Sequence, residues 1–380
     1  MSFAKAGIES TTDSLFWLVG ITSFLLSFVI CVMLYRAFEY RNSNDISLTA
    51  VQAAHNSPTS RLGGLGILGA TALLTLFLEI HSIINIFLGS LLIIFFGLLE
   101  DFHIRTHPKL RLLGGMLSAY LGIYLTNTSL TSIDIDWMSG FFSMGVISVA
   151  FTIFAIVVLT NAFNIIDGTN GFAAGNIIIT CTALFVISAQ VDEAILAILT
   201  VAVTAATLGF FVLNFPKGKI FLGDTGAYLA GFIIAWILIL LAENNESIGK
   251  WSLLCIVFWP IMDTVYSIFR RRIKNKSADK PDKLHFHQLV MRGWELLSYG
   301  KIKRTVSNPL ATATILPFAA IPVIFGVLFI DDKIKGLILF LTFSGSYVIM
   351  YNALYICLSR KKYRSTVSEK LKPIFAFFLD

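Results

Sequence analysis

The chain has 380 residues, of which 56% are hydrophobic and 14% charged, and its formal net charge is +6. A mean hydropathy of +0.79 excludes a soluble globular protein, because so many long apolar runs could not all be buried in one core. The basic balance does not indicate nucleic acid as a partner, since the positive charge follows the predicted topology and no base-recognition module accompanies it.

Apolar windows long enough for a helix to cross about 30 Å of hydrocarbon occur about eleven times along the chain. The sequence therefore predicts an all-α fold, a polytopic integral membrane helical bundle of about eleven transmembrane helices in a single domain over residues 1–380. The windows lie near residues 15–35, 63–80, 82–99, 112–126, 144–161, 171–188, 194–213, 225–242, 251–269, 309–330 and 334–357.

The distribution of Lys and Arg predicts the orientation, since short loops rich in these residues stay in the cytoplasm. With the N-terminus outside, 25 of the 29 basic residues lie on the inner side, and Lys5, Lys250, Lys333 and Lys335 lie outside. The C-terminus is then cytoplasmic. No small-residue cleavage site follows the first apolar run, so we expect this run to remain as an anchor.

Acidic and histidine motifs occur where predicted spans meet the inner side. They are Glu100-Asp101, the stretches 161–171 and 221–226, and the pair His285 and His287. A carboxylate near hydrocarbon is costly unless it is paired, bound to metal or facing water, so this repeated placement predicts a functional site. Glycine in any one of these loops is also typical of a simple connector. The inner loops expected to form the site are 36–62, 100–111, 161–171, 214–226 and 270–308.

The chemistry of these side chains favours a hard divalent cation. Oxygens of Asp, Glu and Asn suit Mg²⁺ or Mn²⁺ bridging substrate phosphates, and the four cysteines lie within predicted spans without close pairing. Such a site predicts phosphoryl transfer at a membrane surface. The spacing of His285 and His287 is a weak zinc signal, so they either contact phosphate or are solvated loop residues. Asp263, within the ninth window, either pairs with a neighbouring helix or takes part in the chemistry.

Taken together, these motifs resemble the polyprenyl-phosphate N-acetylhexosaminyl-1-phosphate transferases. This bacterial family includes the peptidoglycan translocase that makes lipid I and the initiating transferases of O-antigen and enterobacterial common antigen. The resemblance covers residues 56–294 in matching order. Its motifs are an acidic pair ending a span, N-x-x-N-x-x-D-G-x-[DN]-G, F-[LM]-G-D-[TS]-G and H-x-H, found here at 100–101, 161–171, 221–226 and 285–287.

The resemblance implies an activity and a location. The activity is transfer of sugar-1-phosphate from a UDP-N-acetylhexosamine to undecaprenyl phosphate, with release of UMP, at the cytoplasmic face of the bacterial inner membrane. The chain lacks the muramyl-peptide features of the lipid I enzyme. Its eleventh window and basic tail resemble the O-antigen and common-antigen branch, which implies a role in initiating lipopolysaccharide synthesis.

Residue roles follow from the same resemblance. Asp224 is the implied magnesium ligand, Glu100 deprotonates or orients the lipid phosphate with Asp101 beside it, and Asp167 lies at the diphosphate end of the nucleotide. The implied substrate-binding residues are Asn164, Asn170, Asn214 and Phe221, of which Phe221 stacks on uracil, and His285 and His287, which contact the pyrophosphate.

This chain departs from the family pattern at two positions. Glu100 stands where the family more often has Asp, which extends the carboxylate by one methylene and changes its reach to the lipid phosphate. Asn170 stands where Asp is frequent, which keeps a carbonyl acceptor for uracil and removes a charge. In the loop 56–64 the only basic residue is Arg61, and the sequence leaves the role of this loop open.

A transporter or lipid flippase is the main alternative function. A polytopic bundle with intramembrane acids also fits a proton-coupled carrier, but a carrier places its ionisable groups near the bilayer midplane. Here Glu100, Asp167 and Asp224 lie at span ends, which favours surface chemistry. A scaffold without activity leaves these acids unexplained. The apolar outer faces of a bundle serve lipid and subunits alike, so the sequence leaves a homodimer open.

Overall fold

The computed structural model describes residues 2–43, 59–78, 80–142, 144–273, 282, 284–298, 301–360, 367 and 369. Parts of the predicted inner loops 36–62 and 270–308 lie outside these residues. The described residues form helices and connecting turns. The α-helices are α1 Ser2–Ser43, α2 Gly64–Phe77, α3 His81–Asp101, α4 Pro108–Thr126, α5 Ser139–Phe142, α6 Gly145–Ile166, α7 Phe172–Gln190, α8 Ala194–Asn214, α9 Gly223–Asn244, α10 Lys250–Ile256, α11 Phe258–Ile273, α12 Phe286–Leu297, α13 Arg304–Leu328 and α14 Lys333–Ser359.

The helices confirm a polytopic helical bundle. In the described part of the chain, eight helices are long and apolar enough to cross a membrane. The number is nine if the bent pair α10 and α11 counts as one span. α2 has only 14 residues, and α4, which carries Lys109 and Arg111 in its first turn, is less apolar than the candidate spans. The count of eleven spans, the orientation and the single domain over 1–380 stay predictions.

The window 251–269 forms a broken helix instead of the continuous span expected from its hydropathy. α10 and α11 meet at Val257 with a bend of 85°. Pro260 explains the break, because it has no N–H to donate to the Ile256 carbonyl and its ring clashes with that carbonyl in a continuous helix. The freed Ile256 oxygen instead accepts a hydrogen bond from the Thr180 hydroxyl at 3.2 Å. The break turns α11 away from the line of α10.

α9 lies at the centre of the bundle, with 89% of its apolar window buried. Small residues allow neighbouring helices to approach it closely. A Cβ on Gly97 of α3 would lie 2.7 Å from the Thr225 Cα, and a Cβ on Gly231 would lie 2.8 Å from the Thr160 Cα of α6. This packing places the N-terminus of α9, which carries Asp224, among the ends of several other helices.

Helix directions alternate, so that many helix ends meet at one end of the bundle, the site end. α3, α6, α8 and α11 end there, and α2, α4, α7, α9 and α13 begin there. At the opposite end an ion cluster ties three connections together. The Lys250 ammonium contacts Glu243 at 3.0 Å, while Asp134 accepts from the Lys250 backbone N–H at 2.7 Å and contacts the Lys333 ammonium at 3.4 Å.

Candidate active site

Asp101 closes the N-terminus of α9. Its Oδ1 accepts the backbone N–H of Asp224 at 2.8 Å, and its Oδ2 accepts that of Thr225 at 2.9 Å. A carboxylate here satisfies N–H groups that have no partner within the helix and complements the helix dipole. Gly223 has φ +76°, and a Cβ there would overlap the Arg61 carbonyl oxygen and lie 2.6 Å from Asp101 Oδ1. Asp101 thus holds Asp224 in place through the backbone.

The Asp224 carboxylate lies among polar groups from α3, α4 and α6. Its Oδ2 is 3.4 Å from the Arg111 guanidinium, and the same guanidinium is 3.9 Å from Glu100 Oε2. The Asn164 side chain also hydrogen-bonds to Asp224. Glu100 Oε1 accepts both the backbone N–H and the hydroxyl of Thr106 at 2.7 Å. Glu100 and Asp224, about one fifth exposed, are therefore within reach of a ligand.

Asp167 follows the last residue of α6 and faces the same cluster. It accepts a hydrogen bond from the backbone N–H of Gly223. Burial, together with the nearby Asp224 carboxylate, raises the pKa of Asp167 to about 7, although Arg61 acts in the opposite direction. Without a further cation, Asp167 therefore exchanges its proton near neutral pH.

Arg61 comes from the segment before α2, whose role the sequence left open. The backbone N–H of Phe221 donates to the Ser60 carbonyl at 2.8 Å, and that of Gly63 donates to the Phe221 carbonyl at 2.9 Å. These two bonds lay the segment along the F-L-G-D loop and bring the Arg61 charge close to Glu100, Asp167 and Asp224. The Phe221 side chain, expected to stack on uracil, is half-buried beside this crossing.

The two amides predicted to bind uridine are buried and bonded to protein groups. Asn214 Oδ1 accepts the Gly171 N–H at 2.6 Å, and its Nδ2 donates to the Ile220 carbonyl at 2.7 Å. Asn170 Nδ2 donates to the Pro216 carbonyl at 3.0 Å. Asn214 therefore joins the 161–171 loop to the 214–226 loop. A uridine contact for either amide stays a prediction.

Helix α13 holds the same loop from the other side. Asn308 Oδ1 accepts the Asn170 backbone N–H at 2.7 Å, and the Thr312 hydroxyl donates to the Asn170 carbonyl at 2.7 Å. Both α13 residues are buried. Neither was singled out from the sequence, because Thr312 lies within the apolar window 309–330 and Asn308 is the last residue of the inner loop 270–308, where no motif marks it.

His285 and His287 occupy different environments. The two rings are parallel, with centroids 5.9 Å apart. His285 is partly exposed, and its Nδ1 is 3.0 Å from Asp263 Oδ2. His287 has no exposed surface, neither of its nitrogens has a partner among the described residues, and it packs against Gly168 and Phe172. Burial lowers the pKa of His287 to about 4, so its ring is neutral at neutral pH.

Asp263 proves to be a partner of the histidine motif. It is buried and accepts from the His285 ring and from the Phe286 backbone N–H at 2.9 Å, so pairing with another element, one of the two alternatives left open by the sequence, is observed. A second acid, Asp282, lies 3.9 Å from His285 Nε2 and pairs with Arg270. Neither residue was assigned to the histidines from the sequence, where Arg270 contributed to the orientation and belonged to a basic run, 270–283, that could also meet an anionic substrate.

The residues present fit a divalent cation held partly by substrate. Among the described residues, no group of three or more His, Cys, Asp or Glu side chains is arranged to hold a metal ion. Mg²⁺ in phosphoryl-transfer sites is usually held by one or two carboxylates, with substrate phosphates and water completing its shell. Asp224, with Asp167 and the Asn164 amide nearby, offers this kind of donor set. Asp224 as a metal ligand stays a prediction.

The raised pKa of Asp167 predicts that stabilisation by Mg²⁺ depends on pH. Because the folded state holds this proton more tightly than the unfolded chain, the contribution of Asp167 to stability is full below about pH 4 and is lost as the pH rises through about 7. Mg²⁺ requires the carboxylate form. Its effect on the melting temperature is therefore expected to increase between about pH 5.5 and 8.

Thermal unfolding of the detergent-solubilised protein, with and without Mg²⁺ at several pH values, measures this dependence. Asp167→Asn serves as the control, because it has no proton to exchange and should show a flatter dependence on pH. An equal Mg²⁺ effect at all pH values in the wild type would contradict the prediction.

Comparison with known proteins places the chain in a family. A family model for glycosyl transferase family 4 matches residues 83–242. A protein of Bacillus subtilis named as a probable undecaprenyl-phosphate N-acetylglucosaminyl 1-phosphate transferase is 30% identical over 243 residues, which cover 62% of this chain and 67% of that protein.

Two further relatives carry the name undecaprenyl-phosphate alpha-N-acetylglucosaminyl 1-phosphate transferase. The Yersinia pestis protein is 32% identical over 211 residues, covering 53% of this chain and 56% of that protein. The protein of Escherichia coli strain K12 is 35% identical over 146 residues, covering 37% and 40%. This chain thus spans about half the length of these two relatives. The family predicted from the motifs is confirmed, and the chain belongs to glycosyl transferase family 4, among the polyprenyl-phosphate N-acetylhexosamine-1-phosphate transferases.

Proposed function

We propose that this protein transfers an N-acetylhexosamine-1-phosphate from a UDP-sugar to undecaprenyl phosphate. The net reaction breaks the bond between the two phosphates of the UDP-sugar and forms one between the sugar phosphate and the lipid phosphate, so that UMP leaves. The names of the relatives in Bacillus, Yersinia and Escherichia support undecaprenyl phosphate as acceptor and N-acetylglucosamine as the sugar.

One observation carries the proposal. Three carboxylates, those of Glu100, Asp167 and Asp224, lie with the Arg61 and Arg111 guanidinium groups at one end of the bundle. Reaction between two anionic phosphates needs positive charge to offset their repulsion and a carboxylate to hold or accept a proton. Both kinds of group are present where spans end, so a lipid headgroup can meet a water-soluble nucleotide there.

The residues of the cluster would have separate roles in proton transfer, phosphate binding and metal binding. Glu100 is held by Thr106 through Oε1, which leaves Oε2 to accept a proton from the lipid phosphate or to orient it. Arg61 and Arg111 would bind phosphate oxygens, and His285 would contact the diphosphate. Asp224 with Asp167 would hold Mg²⁺, which when bound supplies charge neutralisation for the phosphates.

The location and pathway belong to the same proposal. The concentration of Lys and Arg near the site end supports a cytoplasmic active site in a multi-pass protein of the bacterial inner membrane. The product would be an undecaprenyl-diphosphate-linked sugar, which supports a role at the start of O-antigen or related cell-surface polysaccharide synthesis.

The test is UMP release by the purified protein supplied with undecaprenyl phosphate, Mg²⁺ and a panel of UDP-N-acetylhexosamines. We expect release of UMP with UDP-N-acetylglucosamine or a modified derivative, and formation of the lipid-linked sugar phosphate in equal amount. No release with any donor, from a preparation with a cooperative melting transition, would refute the proposal. Uptake of a solute by sealed vesicles without UMP formation would favour the carrier.

A further inference from the structure

The last helix, α14, faces mainly outward but directs two tyrosines into the bundle. Only 11% of its apolar window is buried, the lowest share among the candidate spans of the described chain. Its buried residues are Gly336, Tyr347, Tyr351 and Leu358. Tyr347 and Tyr351 are each 2% exposed. The inward face of α14 is therefore largely these two rings.

One tyrosine hydroxyl contacts the histidine segment, defined here as residues 284–287, and the other contacts the carboxylate that binds this segment. The Tyr347 hydroxyl donates to Asp263 Oδ1 at 2.8 Å, and the Tyr351 hydroxyl donates to the Leu284 carbonyl at 2.7 Å. The Phe286 ring packs against both tyrosine rings, with its centroid 5.5 Å from that of Tyr347. α14 thus contacts the histidine segment both before and after His285, at Leu284 and Phe286.

Asp263 lies between Tyr347 and the His285 ring and bonds to both. Its Oδ1 accepts from Tyr347 and from the Phe286 N–H, while its Oδ2 faces His285 Nδ1 at 3.0 Å. A carboxylate on Nδ1 favours the tautomer with the proton on that nitrogen and sets the orientation of the ring. His285 Nε2 is then available to a ligand, with the Asp282 carboxylate 3.9 Å away and itself paired with Arg270.

We propose that Tyr347 and Tyr351 are positioning residues of the active site, which orient His285 through Asp263 and through the Leu284 carbonyl. The inference rests on the proposed function, in which His285 contacts the diphosphate of the nucleotide donor. It assigns a role in donor binding to a helix that lies beyond residues 83–242, the part matched by the family model.

The kinetic test uses Tyr347→Phe, which removes one hydroxyl and keeps the ring that packs against Trp259 and Phe286. Loss of this donor to a buried carboxylate should raise KM for the UDP-sugar about tenfold. KM for undecaprenyl phosphate should not change. A variant that merely unfolds in part would instead lower kcat through the active fraction and leave both KM values at the wild-type level.

The control is Ser346→Ala, one residue away on the exposed face of α14, where the Ser346 hydroxyl donates to the Thr342 carbonyl of its own helix and, within the described residues, makes no contact with the histidine segment. It should leave both KM values unchanged. In the double variant Tyr347→Phe with Asp263→Asn, KM for the UDP-sugar should be no higher than in Asp263→Asn alone, because the Tyr347 hydroxyl acts on His285 through Asp263. Additive losses, or an unchanged KM for the UDP-sugar in folded Tyr347→Phe, would overturn the inference. If Tyr347→Phe does not fold, Tyr351→Phe is measured by the same criteria.

A second measurement needs no substrate, so it separates this inference from the proposed function. In protein labelled with ¹⁵N-histidine, the Nδ1 resonance of His285, assigned with His285→Asn, reports the tautomer and the hydrogen bond. Tyr347→Phe should shift this resonance, and Ser346→Ala should not. If the wild type released no UMP but the shift occurred, the proposed function would fail and the positioning would stand. An unmoved resonance would refute the positioning.

Discussion

Asp224→Asn is expected to lower UMP release by at least about 10³-fold, because it removes the negative charge that would hold a divalent cation beside the phosphates. The substitution keeps the size of the side chain. It also leaves the backbone N–H that donates to Asp101, so the start of α9 should remain intact. Initial rates of UMP release at saturating UDP-sugar, undecaprenyl phosphate and Mg²⁺ measure the effect.

Stability should respond in the opposite direction. Asp224 lies close to Asp167, Asp101 and Glu100, whose carboxylates repel it in the absence of Mg²⁺. Asp224→Asn should therefore melt at the same or a higher temperature than the wild type without metal. Asp331→Asn, at the exposed turn between α13 and α14 at the other end of the bundle, is the matched control and should keep full activity. Activity of Asp224→Asn within tenfold of the wild type would remove Asp224 from the mechanism.

The second large effect is expected for Gly168→Ala, which should lower kcat/KM for the UDP-sugar by about 10²-fold. A Cβ at Gly168 would overlap Nε2 of the buried His287 ring and lie 2.8 Å from its Cδ2 atom. His287 cannot move freely, because it packs against Phe172 and lies parallel to the His285 ring. The added methyl group should therefore displace both histidines relative to Asp167. Steady-state rates of UMP release at varied UDP-sugar give kcat/KM.

A second substitution separates packing from chemistry at this contact. We expect kcat/KM for the UDP-sugar to be at least about tenfold higher in the double variant Gly168→Ala with His287→Ala than in Gly168→Ala alone, because removing the imidazole makes room for the methyl group. No recovery, together with an equal loss in His287→Ala alone, would assign His287 the direct pyrophosphate contact that the family resemblance implies. Gly145→Ala is the control. It lies at the other end of α6, where an added Cβ meets nothing within 4 Å.

Much of the fold was readable from hydropathy. The apolar windows became helices because a chain in hydrocarbon must satisfy its backbone hydrogen bonds internally. The acids lie at helix ends for a related reason, since Glu100, Asp167 and Asp224 need water, a proton or a cation. The break at Val257 had a local signal in Pro260, which an average over 18 or so residues conceals.

The partners of the acids were not readable in the same way. Arg61 and Arg111 lie in inner loops expected to form the site, but any arginine on the inner side satisfies the orientation rule, so neither could be assigned to a particular acid. Asn214 matched a substrate-binding position, yet its amide bonds to the Gly171 N–H and to the Ile220 carbonyl, which follow from how two loops cross. Such bonds depend on three-dimensional proximity, and residue types alone do not encode it.

From the sequence we could predict a helical membrane protein, its family, and a set of carboxylates, amides and histidines on one side of the membrane. Local hydropathy and short motifs carry that information. What each group contacts became visible in the packed helices, with Asp101 capping α9, His287 buried against Gly168, and Asp263 hydrogen-bonded to a tyrosine 84 residues further along the chain. The physical reason is that burial and hydrogen-bond geometry arise when distant helices pack together, so they are properties of the assembled bundle.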